Sequence, residues 1–199
     1  MKFKLDMRYA SNCARDLIAT NSRSLLIASA CFVVGTAIGV AVAVKIEDYS
    51  ALNLLEALKL GEYSASGAFF KCLALGVIGA ALAYLTAFKR QLAALSALWS
   101  VYLGYRFGML AVGSCNTALA TGIVSLILFC IPVAAAAIFL IACTIGATSG
   151  CRLAKNAAMT CRKPLADALI KTGISLAIYA LVLIVFCVIL PKLIAILFL

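Results

Sequence analysis

The sequence predicts an all-α, polytopic membrane protein with about five transmembrane helices and its N-terminus in the cytoplasm. Three observations carry that expectation. Hydrophobic residues fill 66% of the 199 positions, and mean hydropathy is +1.15. The apolar residues form runs long enough to cross a bilayer, which takes about 20 residues of helix. All 7 acidic residues fall outside those runs, and among the 17 basic ones only Arg106 lies deep inside one. The whole chain, 1–199, therefore reads as a single integral membrane domain.

Residues 1–23 precede the first run. Phe3, Met7, Ala10, Ala14, Leu17 and Ile18 recur there at helical spacing with lysines and arginines between them, a pattern that suits a cytoplasmic interfacial helix on anionic lipid and equally a short surface helix. The first span is expected over 24–44. Ala41-Val42-Ala43 could mimic a signal-peptidase site, but the apolar run exceeds the roughly 7–15 residues of a cleaved leader, so an uncleaved helix is expected. Residues 45–70 read as an extracytoplasmic amphipathic loop. In it Ser50 can cap a short helix, Leu52, Leu54, Leu55 and Leu58 give that helix an apolar face, and Gly61 can close it. Such a face should lie on the bilayer or against a partner.

Spans two and three are expected over 71–88 and 91–113, joined by little more than Lys89 and Arg90 and therefore paired as an antiparallel hairpin. The fourth, over 118–150, is about 48 Å if fully helical. Pro132 interrupts it, removing a backbone donor and predicting a kinked, tilted or broken helix. The fifth is expected over 172–190, ending at Pro191-Lys192, with Leu193–Leu199 at the interface. Small residues four apart allow helix backbones to approach closely. They recur as Gly35 and Gly39, Gly104 and Gly108, and Gly146 and Gly150. Packing within the chain is the expected use, and a homo-oligomer is the other.

Charge sets the orientation. The net charge of +10 is gathered at helix ends: before Arg23, at Lys89 and Arg90, and from Arg152 to Lys171. Positively charged loops stay in the cytoplasm, which puts the N-terminus inside, and residues 45–70 and the C-terminus outside. No nucleic-acid-binding domain fits this distribution, and the lipid bilayer is the first partner. Of the 9 cysteines, Cys31, Cys72, Cys130, Cys143 and Cys187 lie in apolar runs and read as small core residues. Cys13, Cys151 and Cys161 fall on the reducing side, and Cys115 alone lies near the outer face.

The inventory of reactive groups argues against an enzyme. The chain has no histidine, which excludes a His-based triad and the H-E-x-x-H zinc site. Neither G-x-S-x-G nor a phosphate-binding loop occurs, and no span carries a carboxylate to activate Ser96, Ser125 or Cys143. No catalytic residue, cofactor or metal ligand is expected. Arg106, within Trp99-Ser100-Val101-Tyr102-Leu103-Gly104-Tyr105-Arg106-Phe107-Gly108, is the exception, because an intramembrane charge is costly and functional by default. Its alternatives are snorkelling or a cation–π contact with Tyr102, Tyr105 or Trp99. A broken helix at Pro132 would leave carbonyls for an ion, so a small permease-like or channel-like component is the second functional class.

Three local matches resemble the stage II sporulation protein M family. They are Leu55-Glu56-Ala57-Leu58-Lys59-Leu60-Gly61-Glu62-Tyr63-Ser64 with Phe69-Phe70-Lys71, then Arg106-Phe107-Gly108, then Ile131-Pro132. Two departures stand beside them: Gly76-Val77-Ile78-Gly79 lacks the proline of the family's second helix, and Leu126–Cys130 lacks its polar step. The resemblance implies a non-enzymatic scaffold in the bacterial cytoplasmic membrane, acting in endospore engulfment. Its partners would be peptidoglycan hydrolases resembling stage II sporulation proteins D and P, docked on the outer segment through Leu52, Leu55, Glu56, Leu58 and Glu62.

Overall fold

The computed structural model describes residues 7–45, 64–88, 93–115, 119–156 and 162–198, and every one of them except Ser64 is helical. The elements are α1 (Met7–Lys45), α2 (Ala65–Phe88), α3 (Ala93–Cys115), α4 (Leu119–Asn156), α5 (Arg162–Ile184), a π-helical turn (Val185–Ile189) and α6 (Leu190–Phe198). Four stretches are long and apolar enough to cross a membrane: Leu26–Lys45, Ala65–Thr86, Ile123–Ala147 and Leu169–Ile196. The chain is a multi-pass membrane protein. The fifth expected span, 91–113, corresponds to α3, which at 23 residues is about 35 Å long. Trp99, Ser100, Tyr102, Tyr105 and Arg106 dilute its apolar character, and it is not among the four.

Several boundaries differ from the sequence reading. The interfacial segment and the first span are one continuous helix from Met7 to Lys45. The second span begins at Ala65 rather than at 71, because the Ser64 side chain caps it: Gly67 N–H donates to Ser64 Oγ at 3.1 Å and Ala68 N–H to Ser64 O at 3.0 Å. Pro132 does not break its helix, since α4 runs uninterrupted from Leu119 to Asn156 with Pro132 inside it and fully buried. In a bilayer such a proline is tolerated where packed neighbours and local adjustments accommodate the lost bond. Pro191 does not end the last span either. The π turn precedes it, with Leu190 N–H bonded to Val185 O, and this wider turn eases the clash between the proline ring and the carbonyl four residues earlier.

Contacts fix the directions of the helices. Gly35 lies against Val101 and Gly39 against Tyr105, while Gly104 and Gly108 lie against Phe32 and Thr36. The numbers rise together, so α1 and α3 are parallel. Cys72 meets Tyr179 and Tyr84 meets Thr172, so α2 and α5 are antiparallel. Phe139 meets Tyr179 and Gly146 approaches Thr172, which makes α4 antiparallel to α5. Gly79 against Trp99 pairs α2 with α3 as a hairpin. The starts of α1, α3 and α5 therefore share one end of the bundle, and the starts of α2 and α4 the other.

The central element is α4, with half of its spanning window buried against 17% for each of the other three. From Leu119 to Cys151 it carries no charge, and a helix that is apolar all round belongs inside a bundle. Val133, Ala136, Phe139, Leu140 and Cys143 supply its share of the core, joined by Ala83 of α2, Leu103 of α3, and Tyr179, Leu183 and Cys187 of the last rod, the unbroken run of α5, the π turn and α6 from Arg162 to Phe198.

The α1–α3 crossing depends on its glycines. A Cβ added at Gly35, Gly39, Gly104 or Gly108 would overlap the facing carbonyl of Val101, Tyr105, Phe32 or Thr36. Gly173, by contrast, has nothing within 4 Å of such an atom. Gly104→Ala is expected to destabilise the detergent-solubilised protein by about 1–3 kcal/mol, the usual cost of overpacking. Gly173→Ala should cause no loss. Equal unfolding midpoints in a denaturing-detergent titration would rule out this crossing.

Candidate functional site

The glycine crossing also decides where the intramembrane charge goes. On a helix, residues two apart lie roughly 200° apart. With Gly104 and Gly108 turned to α1, Arg106 must face away, and it is exposed while both glycines are buried. It lies nine residues before Cys115, the last residue of α3, so a reach of about 14 Å separates it from that helix end. An arginine on the outer face of a span can snorkel toward the headgroups. Phe107 turns inward instead and meets Phe32 of α1 with ring centroids 5.7 Å apart.

A second node ties α2, α4 and α5 together around Tyr179, which is only 3% exposed. Its hydroxyl donates to the Cys72 carbonyl at 2.6 Å, and its ring stacks on Phe139 at 5.1 Å with planes 3° apart. Gly76 makes room, since a Cβ there would run into the Tyr179 ring. Beside it the Cys72 and Cys187 thiols hydrogen-bond to each other. The two cysteines are far apart in sequence and one lies in the π turn, so nothing in the sequence signals that they meet. Nearer the other end, the Tyr84 and Thr172 hydroxyls hydrogen-bond at 2.7 Å.

Between α2, α3 and α4 the Trp99 indole edge lies over Gly79, where an added Cβ would sit 3.2 Å from Nε1 and 3.3 Å from Leu140. Trp99 Nε1 is the one buried side-chain nitrogen or oxygen among the described residues without a hydrogen-bond partner. Around Pro132 the neighbours in sequence, Cys130 and Val133, are buried, as are Leu128 and Ala136, so this part of α4 is packed in apolar side chains. Among the described residues no group of three or more His, Cys, Asp or Glu side chains is placed to hold a metal ion.

The sequence-predicted residues thus separate. Gly35, Gly39, Gly104 and Gly108 come together at one crossing. Gly146 does not take part in a comparable approach: an added Cβ would meet only Thr172 Oγ1, at 3.9 Å, ordinary contact that needs no glycine. The surroundings of Gly150 lie outside the described residues, as do Leu52, Leu55, Glu56, Leu58 and Glu62.

One groove, unforeseen from the sequence, opens between the start of α2 and the last rod. Its volume is about 690 Å³, and Ser64, Ser66, Phe69, Phe70, Ile184, Val188 and Lys192 line it. The serine hydroxyls are 3.2 Å apart. Ile184, Val188 and Lys192 follow at intervals of four, which on an α-helix drift by roughly 40° per step. The π turn between them is wider and keeps the three in one stripe.

Two outcomes test these placements. Gly76→Ala should destabilise by about 1–3 kcal/mol through the Tyr179 ring, and the effect should shrink when Tyr179 is also replaced by Ala, as a double-mutant cycle reports. Arg106→Leu should leave the unfolding midpoint within about 0.5 kcal/mol of the parent, as expected for a residue away from the packed interior. A large loss would place the guanidinium inside the bundle.

Compared with protein-family models, with curated proteins and with solved structures, the chain matches none.

Proposed function

We propose that the chain is a non-enzymatic scaffold of the bacterial cytoplasmic membrane, a relative of the stage II sporulation protein M family. In this reading it anchors peptidoglycan hydrolases resembling stage II sporulation proteins D and P during endospore engulfment. The supporting observation is the apolar packing around Pro132. Pro132, the residue around which a carbonyl-lined ion site would be built, is fully buried among apolar side chains, and Arg106 faces outward. A bundle packed with apolar side chains at this depth suits an anchor better than a permease, whose substrate site requires a cavity near the bilayer midplane.

The helix directions support the orientation. The starts of α1, α3 and α5 share an end, so the three basic clusters that flank them gather on one side, the cytoplasmic side by the charge rule. Ser64 and Lys192 then lie at the outer end, as do the end of α1 and the start of α2, the orientation that docking through Leu52, Leu55, Glu56, Leu58 and Glu62 requires.

Affinity purification in mild detergent from the native host, with mass spectrometry of the co-purifying proteins, tests the reading. Wall hydrolases are the expected companions, and their recovery should fall at least tenfold when Leu55→Asp is combined with Glu56→Lys and Glu62→Lys in a correctly inserted protein. Recovery of the chain alone, or with an ATPase, would overturn the scaffold and make solute flux in proteoliposomes the next assay.

A further inference from the structure

The groove between α2 and the last rod has an order of chemistry along its length. At one end are the Ser64 and Ser66 hydroxyls and the Lys192 ammonium; along the rest run Phe69, Phe70, Ile184 and Val188. The two spans that form it are Ala65–Thr86 and Leu169–Ile196. Ser64 lies just outside the first, and Lys192 is within a helical turn or so of the end of the second. The polar end of the groove therefore sits at the boundary between hydrocarbon and headgroups. From Lys192 back to Ile184 is eight residues, and the apolar trough descends about 12 Å into the hydrocarbon.

We propose that this groove binds one anionic phospholipid, its phosphate held by Lys192 with the two serine hydroxyls and an acyl chain laid along the phenylalanines, Ile184 and Val188. Charge complementarity selects this occupant. Among the described residues the lining contains a cation and no carboxylate, and Lys192 is exposed at the rim. Ser64 Oγ accepts from Gly67 N–H, so its own O–H is free to donate to Ser66 or to a phosphate oxygen. An apolar helix seated here would cover the ammonium without supplying a counter-charge, whereas a phospholipid carries one at the required depth. The volume falls within the roughly 300–1,000 Å³ of small-molecule sites. The stripe of Ile184, Val188 and Lys192 that aligns cation and trough depends on the π turn, a feature that recurs at functional sites.

The test is native mass spectrometry of the full chain released from detergent after incubation with equal amounts of dioleoyl phosphatidylglycerol and dioleoyl phosphatidylcholine. The parent protein should retain the anionic lipid over the zwitterionic one by about fivefold, the contribution of one lysine at an anionic headgroup. Lys192→Gln, a change at an exposed residue, should bring the two lipids to parity. Val188→Trp fills the trough and should abolish retention of both in a protein that still elutes as a single species. Equal retention of the two lipids by the parent, unchanged selectivity in Lys192→Gln, or undiminished retention in Val188→Trp would each overturn the proposal. A dimer that Val188→Trp breaks, with no lipid retained, would also overturn it and assign the groove to a second copy of the chain.

Discussion

Inside a bilayer, two helices gain nothing by hiding leucine from a solvent that is itself hydrocarbon, so their association depends on how closely the backbones approach and on the hydrogen bonds made between them. The α1–α3 pair meets this constraint with Gly35 and Gly39 on one helix and Gly104 and Gly108 on the other, each set against a carbonyl of its neighbour. Close approach of this kind brings Cα–H groups onto carbonyl oxygens and many backbone atoms into van der Waals range. It also fixes rotation about the helix axis. With the glycines turned inward, Leu103 is buried in the core and Arg106 is carried to the opposite face. The location of the one deep charge follows from the location of the small residues.

Several hydroxyls of the bundle donate to carbonyls of their own helices. Thr36 donates to the Phe32 carbonyl, Ser114 to Leu110 and Thr144 to Leu140, at 2.9, 2.8 and 2.8 Å. This back-bonding gives a hydroxyl in an apolar setting an acceptor on its own helix. Tyr179 to the Cys72 carbonyl and Tyr84 to Thr172 are hydrogen bonds that cross between helices. Both join α2 to α5, the first toward the Ser64 end and the second toward the basic end. Interhelical hydrogen bonds in membranes are worth about 0.6 kcal/mol on average, so their larger effect is to set the register in which Tyr179 stacks on Phe139.

The two buried prolines illustrate different solutions to one difficulty. Pro132 remains within a continuous α-helix in the most enclosed element of the bundle, where the proline is fully buried and packed neighbours accommodate the missing bond. Pro191, near the end of a rod with more lipid-facing surface, follows a π turn. That turn places Cys187 next to Cys72 and aligns Val188 with Lys192 along the groove.

The sequence by itself determined the helical class and most of the positions of the helices, because bilayer thickness requires apolar runs of a set length and the charges mark where they stop. It also determined which glycines could support close contacts, since small residues four apart share a helix face. It could not say which helices those faces meet. The Gly35 pair meets the Gly104 pair, while Gly146 approaches only a threonine hydroxyl, and spacing is the same in both cases. The fate of each proline was equally out of reach, because a missing backbone donor can be absorbed by a packed neighbour, a kink or a wider turn. Only the tertiary structure decided these points, since each depends on what stands opposite a residue rather than on what precedes it. The meeting of Cys72 with Cys187, and the placing of Ser64 and Lys192 in one groove, are of the same kind. Both arise from the antiparallel course of α2 and the last rod, which apolar periodicity leaves undetermined when nearly every face of every helix is apolar.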